Sequence, residues 1–520
     1  MKEFDITIES ILGGQSPTEY FSGKDQFLSS LAIDPDLPKD DESTTFKMSG
    51  LVRPSALAKF SGTEVTGTPL WIVTNPKDDN AYVYTYDGKV HIVDSTLAMG
   101  TALNSGNALT TSTGNGAAYY DNYAYFATNT DISRYGALNG SPSLNQTYWT
   151  STLSKSALAN TTYPAINSIK IPNHPMYRNL HENCLYFGDV NANNIGVLHK
   201  IETIKTSVEG DTDNGSAASV IDFSYGWWPT CISEDNDGNT VVGLIEDNSI
   251  VTKQQPFKII RWDNSSDAYS TITPDSFSDP FVTAIKNING TLYVFSGSSK
   301  GGTRVSVLYG TVLQEVAYFD DTMPPFAGAV DHIMNRITFG GFSKIGTNHY
   351  ASVWAVGSKN PSVKEGIHNI LKATSAGANG QVTAFKYIQQ TSFSKPSVIV
   401  GWKDDSACGL DKYSTTYGTS ILRSGMYRIG KRFQIKKITI PLISAVGANT
   451  TITPKLYFDS GSTTNSPQVI NNTNFAGKKL IELYPSGANG NTDVFLELTF
   501  SGTSLNTVSL PITMSGETLA

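Results

Sequence analysis

Short runs of β-branched and aromatic residues, each followed by a turn rich in Asn, Asp and Gly, repeat from about residue 65 to residue 425. Apolar and polar positions alternate within many runs, which is typical of β-strands, and helical periodicity is almost absent. Asp-Gly at Asp87 and Asp237 and Asn-Gly at Asn289 each stand between two runs, a signal of tight hairpins. The pattern predicts a series of small antiparallel meanders.

The spacing of these meanders predicts their arrangement. About seven of them follow one another at roughly 40–50 residues, the period of β-propeller blades. We therefore predict an all-β fold with a propeller over residues 61–425, of about seven blades, six or eight being compatible with the same spacing. Because no WD or kelch signature is present, a pair of stacked β-sandwiches is the alternative.

The two ends of the chain have different patterns. Beyond residue 426 the strands are longer and alternate more regularly, as in RFQIKKITIPLI (432–443) and DVFLELTF (493–500), which predicts a C-terminal β-sandwich or jelly-roll over residues 426–520. Residues 1–60 hold few strand-like runs and two Pro-punctuated pieces. We expect them to form an extended N-terminal arm.

Charge is unevenly distributed between these ends. Residues 1–50 carry ten acidic and four basic residues, whereas the interval 412–458 has eight Lys or Arg and no acid. We expect the arm to dock on the basic region of a neighbouring subunit, anchored by its apolar side chains, with a solvated tail and a solvated face as the alternative. The assembly candidates are Phe21, Phe27, Leu28, Leu31, Ile33, Leu37, Arg428, Lys431, Arg432, Lys436 and Lys437.

Composition narrows the class of protein. The net charge of -8 argues against a surface that holds nucleic acid tightly, although DNA can slide past such a surface. Three scattered cysteines indicate buried thiols in a reducing compartment. Neither a secretory signal nor an apolar run long enough for a membrane span is recognisable, so we expect synthesis in a cytoplasm and no membrane insertion.

Catalytic motifs are missing from the sequence. It contains no HExxH, GxSxG or phosphate-binding loop, so we expect no enzyme activity, no catalytic residues, no cofactor and no metal. His174 and His181 flank one loop-like segment, but a metal site there is disfavoured against surface or packing roles.

Two further alternatives stay open. A propeller glycoside hydrolase would use carboxylate pairs, for which Asp78–Asp79, Asp320–Asp321 and Asp404–Asp405 are candidates, but each pair lies at a predicted turn. The segment from Ser233 to Thr240 is similar to the Asp-box turn of sialidase propellers, and a calcium site is its less favoured interpretation. The aromatic residues that would suit glycan binding are Tyr119, Tyr120, Tyr123, Tyr125, Trp227 and Trp228.

Several phrases carry a family resemblance. They are SLAIDPDLP (30–38), SGLVRP (49–54), ISRYG (132–136), NHPMYRNLHENCLYFGD (173–189) and IGKRFQIKKITIPL (429–442). In its composition, its pattern of strands and turns and its domain order, the chain resembles virion proteins of tailed bacteriophages. Among them it resembles the propeller-containing tail proteins, such as the nozzle of a short tail.

The resemblance implies a structural subunit of the virion tail, made in the host bacterial cytoplasm. It implies a cyclic homo-oligomer, commonly hexameric in nozzles, that contacts other tail proteins and surrounds or extends a channel through which DNA passes transiently. A propeller that binds a receptor or a host surface glycan is the alternative. No functional residue is carried over from the family.

Overall fold

A computed structural model describes most of the chain. The described residues are 2–11, 14–16, 26–34, 51–52, 54–60, 65–76, 79–109, 116–128, 131–137, 140–149, 174–204, 212–215, 219–247, 255–298, 301–320, 322–345, 347–357, 366–375, 377, 379–388, 397–414, 417–502 and 507–519. Almost all regular structure in these residues is β-strand, as predicted. A four-residue helix, α1 (Asn472–Phe475), and two 3-10 turns (Leu103–Gly106 and Ala327–Ala329) are the described exceptions.

Seven small antiparallel sheets follow one another from residue 69 to residue 413. Sheet 1 contains β6 (Pro69–Thr74), β7 (Ala81–Thr85) and β8 (Val90–Val93). Sheet 2 contains β9 (Ala117–Tyr120), β10 (Tyr123–Ala127), β11 (Ile132–Gly136) and β12 (Ser143–Trp149). Sheet 3 contains β13 (Met176–Asn179), β14 (Cys184–Val190), β15 (Ile195–Ile204), β16 (Thr212–Gly215) and β17 (Ile221–Tyr225).

Sheets 4 to 7 each have four strands. Sheet 4 contains β18 (Trp227–Glu234), β19 (Thr240–Glu246), β20 (Lys258–Trp262) and β21 (Ser270–Ile272), and sheet 5 contains β22 (Phe281–Ile288), β23 (Thr291–Ser298), β24 (Gly301–Tyr309) and β25 (Val312–Phe319). Sheet 6 contains β26 (Val330–Ile333), β27 (Arg336–Ile345), β28 (Asn348–Val356) and β29 (Ile367–Lys372). Sheet 7 contains β30 (Gln381–Ile388), β31 (Ser397–Lys403), β32 (Cys408–Tyr413) and β5 (Leu57–Lys59).

The first strands of the seven sheets contact one another in a cycle. β6 packs against β9, β9 against β13, and so on through β18, β22 and β26 to β30, which packs back against β6. Sheet 7 is completed by β5, which precedes sheet 1 in the chain and pairs antiparallel with β32. A strand from before the first sheet therefore joins the last one.

Glycines on the second strands allow the sheets to approach closely. A Cβ at Gly243 would lie 2.8 Å from Val282 of the next sheet, at Gly340 2.5 Å from Val382, and at Gly401 2.6 Å from Pro69. These distances are far inside normal contact, so only glycine fits. The pattern repeats because the same packing problem recurs between successive sheets.

Threonines at bulges of the first strands make a second repeated contact. The Oγ1 of Thr230 donates to the carbonyl oxygen of Val282 at 2.7 Å, from sheet 4 to sheet 5. The Oγ1 of Thr383 donates to the carbonyl oxygen of Pro69 at 2.6 Å, from sheet 7 to sheet 1. Each bulge turns a side chain towards the neighbouring sheet. The contact between sheets 7 and 1 is therefore made by the same kind of hydrogen bond as the contact between sheets 4 and 5.

Two further sheets share a core of their own. Sheet 8 contains β1 (Glu3–Ile8), β43 (Ile512–Thr518), β35 (Phe433–Pro441), β39 (Leu480–Leu483) and β40 (Asn489–Gly490). Sheet 9 contains β2 (Gly14–Gln15), β3 (Gln26–Leu31), β33 (Tyr417–Ser424), β34 (Tyr427–Arg428), β36 (Thr450–Phe458), β37 (Thr463–Asn465), β38 (Ile470–Asn471) and β41 (Asp493–Gly502). A two-stranded pair joins β4 (Leu51–Val52) to β42 (Val508–Ser509). Ile435 and Ile438 of sheet 8 and Ile452 and Leu496 of sheet 9 lie in one buried cluster.

The described N-terminal residues form strands of these sheets, which differs from the expected arm. β1 pairs with β43, and β3 pairs with β33 of the same chain. Ile6 and Ile8 alternate with exposed polar residues on β1, and Phe27 is buried in the common core. Each strand covers an otherwise open sheet edge, so the pairing satisfies backbone groups that would face water.

A buried ion pair joins sheet 6 to the segment after β3. Asp34 Oδ1 lies 2.8 Å from Arg336 Nη1, and the two side chains are 1% and 0% exposed. Beside the pair, the Ile33 amide donates to the carbonyl oxygen of Asn369 at 2.9 Å, and the Phe27 ring packs on His368. Sheets 8 and 9 are thus attached to sheet 6 by a polar contact that excludes water.

Replacing Gly401 by alanine tests the close approach of sheets 7 and 1. The new methyl group would overlap Pro69 and Ala384, so we expect Gly401→Ala to lower the free energy of unfolding by about 1–3 kcal/mol in a denaturant titration. Gly447→Ala is the matched control, because no atom lies within 4 Å of its Cβ position. Equal effects of the two changes would contradict the packing described here.

Neutralising Asp34 tests the junction. Asp34→Asn leaves the Arg336 charge buried without its carboxylate, so we expect a loss of about 3–5 kcal/mol in the free energy of unfolding. Glu517→Gln breaks the more exposed pair with Lys436, whose Nζ lies 2.9 Å from Glu517 Oε1, and should cost about 0–1 kcal/mol. A junction that contributes nothing would give Asp34→Asn the same small effect as this control.

Candidate functional site

A cavity of about 250 Å³ lies where the first strands of the seven sheets meet. Each of the seven sheets contributes to its wall, and so does the 3-10 turn that precedes β26. The lining residues are 71–74, 117–119, 175–178, 231–232, 284–286, 327, 328, 330, 385 and 386. A site in this position is built by parts of the chain that are far apart in sequence, and its shape depends on how the sheets pack.

Two lysines of the wall share one aspartate. Lys286 Nζ lies 3.3 Å and Lys386 Nζ 3.4 Å from Oδ1 of Asp331, while Oδ2 of Asp331 accepts the Tyr387 amide at 2.9 Å. The lysine side chains are 28% and 29% exposed and that of Asp331 is 6% exposed. The two lysine side chains are therefore partly exposed, whereas the carboxylate of Asp331 is buried.

The electrostatic environment keeps Asp331 ionised. Burial alone would raise the pKa of its carboxyl group, but the ammonium groups of Lys386 and Lys286 outweigh burial and lower the pKa to about 2. Burial lowers the pKa of Lys286, and it also lowers the pKa of His332 beside this group. His332 Nδ1 lies 3.8 Å from Asp331 Oδ1.

Arg178 adds a third cation to the wall. Its Nε is buried and has no hydrogen-bond partner, and no ion pair of Arg178 occurs among the described residues. Arg178 precedes Asn179, whose Oδ1 accepts the amide of Glu182, three residues on, at 2.7 Å. Lys286 precedes Asn287, whose Oδ1 accepts the amide of Gly290, also three residues on, at 2.9 Å. The two cations thus occupy corresponding positions in sheets 3 and 5.

Carboxylates are missing from the described part of the cavity wall. Glycoside hydrolysis needs two carboxyl groups roughly 5–10 Å apart, one of them protonated at the start of the reaction. Asp331, just behind the wall, is held ionised by its lysines and so is unsuited to act as that acid.

The described acidic candidates, Asp79, Asp320, Asp404 and Asp405, lie outside the cavity wall and outside the regular strands. Asp404 Oδ1 accepts the amides of Ser406 and Ala407 at 2.8 and 2.7 Å, and its Oδ2 accepts that of Gly377 at 2.7 Å. Burial opposes ionisation of Asp404, but these hydrogen bonds hold its pKa below the usual range. Asp78 and Asp321 lie outside the described residues, so two of the predicted pairs are seen only in part.

The segment from Ser233 to Thr240 contains a hairpin turn. Asp235 Oδ1 accepts the amides of Asp237 and Asn239 at 2.9 and 3.0 Å, and Asp235 Oδ2 lies 3.1 Å from Arg261 Nε. Its oxygens are therefore used by protein groups. No group of three possible metal ligands occurs among the described residues. His174 is buried beside the Gly188 carbonyl oxygen at 3.2 Å, whereas His181 is exposed.

The aromatic candidates are mostly inside. Tyr120, Tyr125, Trp227 and Trp228 are buried, and Tyr119 and Tyr123 are half-buried. Tyr119 lines the cavity. The strand alternation that the sequence shows is real, but adjacent sheets cover the second face of most strands, so alternation does not place half of the rings in water.

The assembly candidates fall into three groups. Phe27, Leu31 and Ile33 are buried in their own chain and Leu28 is half-buried, while Phe21 and Leu37 lie outside the described residues. Lys436 and Lys437 form ion pairs with Glu517 and Glu482 of the same chain. Arg428, Lys431 and Arg432 are exposed, and no ion pair of Lys431 or Arg432 occurs within the described residues.

Sequence reasoning missed the cavity cations, although a signal was present. The phrases VTAIKNI (282–288) and VTAFKYI (382–388) repeat the same pattern with lysine at the same place. In both strands the lysine stands two residues before the last paired residue of the hairpin, Ile288 or Ile388. The repeat predicts corresponding positions, but only the packing of the sheets brings them together.

No protein-family model and no curated protein matches this chain. Within the part of the chain that the structure describes, no helix is long and apolar enough to cross a membrane.

The pKa of Asp331 predicts a pH-dependent contribution to stability. Its folded value of about 2 lies below the ordinary 3.8, so the contribution is complete above about pH 4 and is lost as pH falls through 2. We expect wild-type protein to lose about 2 kcal/mol relative to Asp331→Asn over this range, measured by denaturant titration at several pH values. The same comparison in a Lys386→Met background should show a smaller change. A pH-independent difference between wild type and Asp331→Asn would contradict the ion cluster.

Proposed function

We propose that sheets 1 to 7 form a closed, seven-bladed β-propeller and that sheets 8 and 9 form a β-sandwich. The cyclic contacts of the first strands support closure, as does the hydrogen bond from Thr383 to Pro69, which repeats the contact from Thr230 to Val282. The addition of β5 to sheet 7 supports it further, because it ties the start of the ring to its end. The buried cluster common to sheets 8 and 9 supports the sandwich.

On this architecture we infer a non-enzymatic structural subunit of a bacteriophage tail, nozzle-like or in another distal position of the virion. The observation that carries the inference is the buried Asp34–Arg336 junction, which joins one β-unit to the other. Two β-units held together by a buried contact suit a protein that acts by assembly. The resemblance in texture and domain order adds the bacteriophage context, with synthesis in the host cytoplasm.

DNA would pass between copies of the chain rather than through one copy. The central cavity measures about 250 Å³ and is walled by side chains such as Trp71 and Phe385. The major groove of a duplex is by itself about 12 Å wide, so a duplex does not fit this space. A cyclic homo-oligomer, six copies being common in nozzles, would enclose the channel, and the net charge of -8 would let DNA slide.

The basic turn at residues 428–432 is the best-supported contact with a neighbour. Lys431 and Arg432 are exposed and have no carboxylate partner in the described structure, unlike Lys436 and Lys437. An acidic surface on a neighbouring subunit would supply carboxylate partners for these two side chains. Sheet 8 also presents the exposed acids Glu3 and Asp5 on its edge strand β1, so one copy carries both complementary surfaces. Other tail proteins would occupy surfaces that the ring leaves open.

The two alternatives have less support. A glycoside hydrolase requires a carboxylate pair that the described cavity wall does not contain. A surface that binds glycans through aromatic stacking would use exposed rings, whereas the predicted tyrosines and tryptophans are buried or half-buried. We therefore favour assembly over both.

Light scattering and particle imaging of the purified full-length chain test the proposal. We expect a ring of cyclic symmetry, and we expect the double change Lys431→Glu and Arg432→Glu to dissociate it because like charges would then meet. Lys344→Glu, at an exposed lysine of sheet 6, is the control and should leave the ring intact. A chain that stays monomeric at all concentrations, with imaging of intact particles failing to locate it in a tail, would overturn the proposal.

A further inference from the structure

The central cavity has a one-sided arrangement of charge. Arg178, Lys286 and Lys386 contribute three cations to its wall from sheets 3, 5 and 7, and Asp331 is the one carboxylate in contact with any of them among the described residues. A single carboxylate shared by two lysines leaves one positive charge unbalanced, and Arg178 adds another. Unpaired charge is costly away from water, so such a cluster is best completed by an anion.

The cations stand at one level of the cavity. Lys286 and Lys386 occupy the same register position in their hairpins, and Asp331, which pairs with Thr338, stands two residues before the last pair of its hairpin as well. Arg178 corresponds to Lys286 through the equivalent turns capped by Asn179 and Asn287. Side chains at corresponding positions around a ring point towards a common centre.

The groups are suited to hydrogen bonding with an oxyanion. The Arg178 guanidinium offers a planar fork that matches a carboxylate or phosphate, and its buried Nε has no hydrogen-bond partner among the described residues. The lysine side chains are 28% and 29% exposed, and each ammonium group has N–H donors beyond the one that contacts Asp331.

Most of the other lining residues are apolar or aromatic by type. Trp71 and Tyr119 are half-buried, whereas Ile285 and Phe385 are buried in the cores of their sheets. A cavity of about 150 Å³ holds benzene, so the 250 Å³ here has room for a six-membered ring with polar substituents. A few placed polar groups in an apolar wall are typical of small-molecule sites.

We propose that this cavity binds a small oxyanion, a carboxylate or phosphate group carried by a molecule no larger than a monosaccharide. Arg178 binds one edge of the anion, Lys286 and Lys386 neutralise it, and the apolar wall packs against the body of the ligand. The site does not depend on the proposed role in a virion tail, because every group that forms it belongs to one chain.

Calorimetric titration of the full-length protein tests the site with three probes: inorganic phosphate, glucuronate and glucose. We expect phosphate, glucuronate or both to bind, and glucose, which lacks the charge, to bind at least tenfold more weakly. Binding of glucuronate alone identifies a sugar acid as the class of ligand, and binding of phosphate alone identifies a phosphate group. Failure of both anions to bind at millimolar concentration, or equal binding of glucose, would overturn the proposal.

Variants locate the binding. Arg178→Met and Lys286→Met should each weaken anion binding at least tenfold, whereas Lys344→Met, which changes an exposed lysine outside the cavity, should leave it unchanged. Should the cavity variants fold poorly, the wild-type protein decides the matter: the bound anion should raise its melting temperature beyond the effect of sodium chloride at equal ionic strength. Identical shifts in phosphate and chloride would refute a specific site.

Discussion

The pairing of β5 with β32 is the contact on which the rest of the molecule depends. It places a strand from before the first sheet at the outer edge of the last one, so the seventh sheet contains strands from before and after the other six. The same logic applies to β1 and β3, which pair with β43 and β33. With the pairing of β4 and β42, sheets bring early and late parts of the chain together at four places, and separating them would expose several sheet edges at once.

Close packing between sheets explains both the shape and the site. Glycines such as Gly243, Gly340 and Gly401 let neighbouring first strands come near enough to meet around a common cavity. Side chains at corresponding register positions then converge, which is how Lys286 and Lys386 reach the same carboxylate. The concentration of cations at the centre contrasts with the net negative charge of the chain. Local packing thus creates a chemical environment that overall composition conceals.

The sequence predicted the all-β class well because strand alternation and Asn-Gly or Asp-Gly turns are local signals. The hairpin at Asn289 is an example, with β22 and β23 on either side. The role of the first sixty residues was not predictable in the same way. QFLSSL of β3 contains consecutive serines and pairs with a strand near residue 420, and no local pattern records that distant partner. The buried tyrosines were misleading because residues of the next sheet, such as Met176 and Phe187, cover Tyr120 and Tyr125, a contact that no local pattern records.

Hydrogen exchange measured residue by residue tests the central claim, that the N-terminal strands are paired with late strands in both parts of the fold. The account predicts that the amides of β3 and β5 exchange as slowly as those of their partners β33 and β32. It also predicts that the two strands of each pair lose protection together as denaturant is added. Rapid exchange of residues 26–31 and 57–59, while β32 and β33 stay protected, would contradict it.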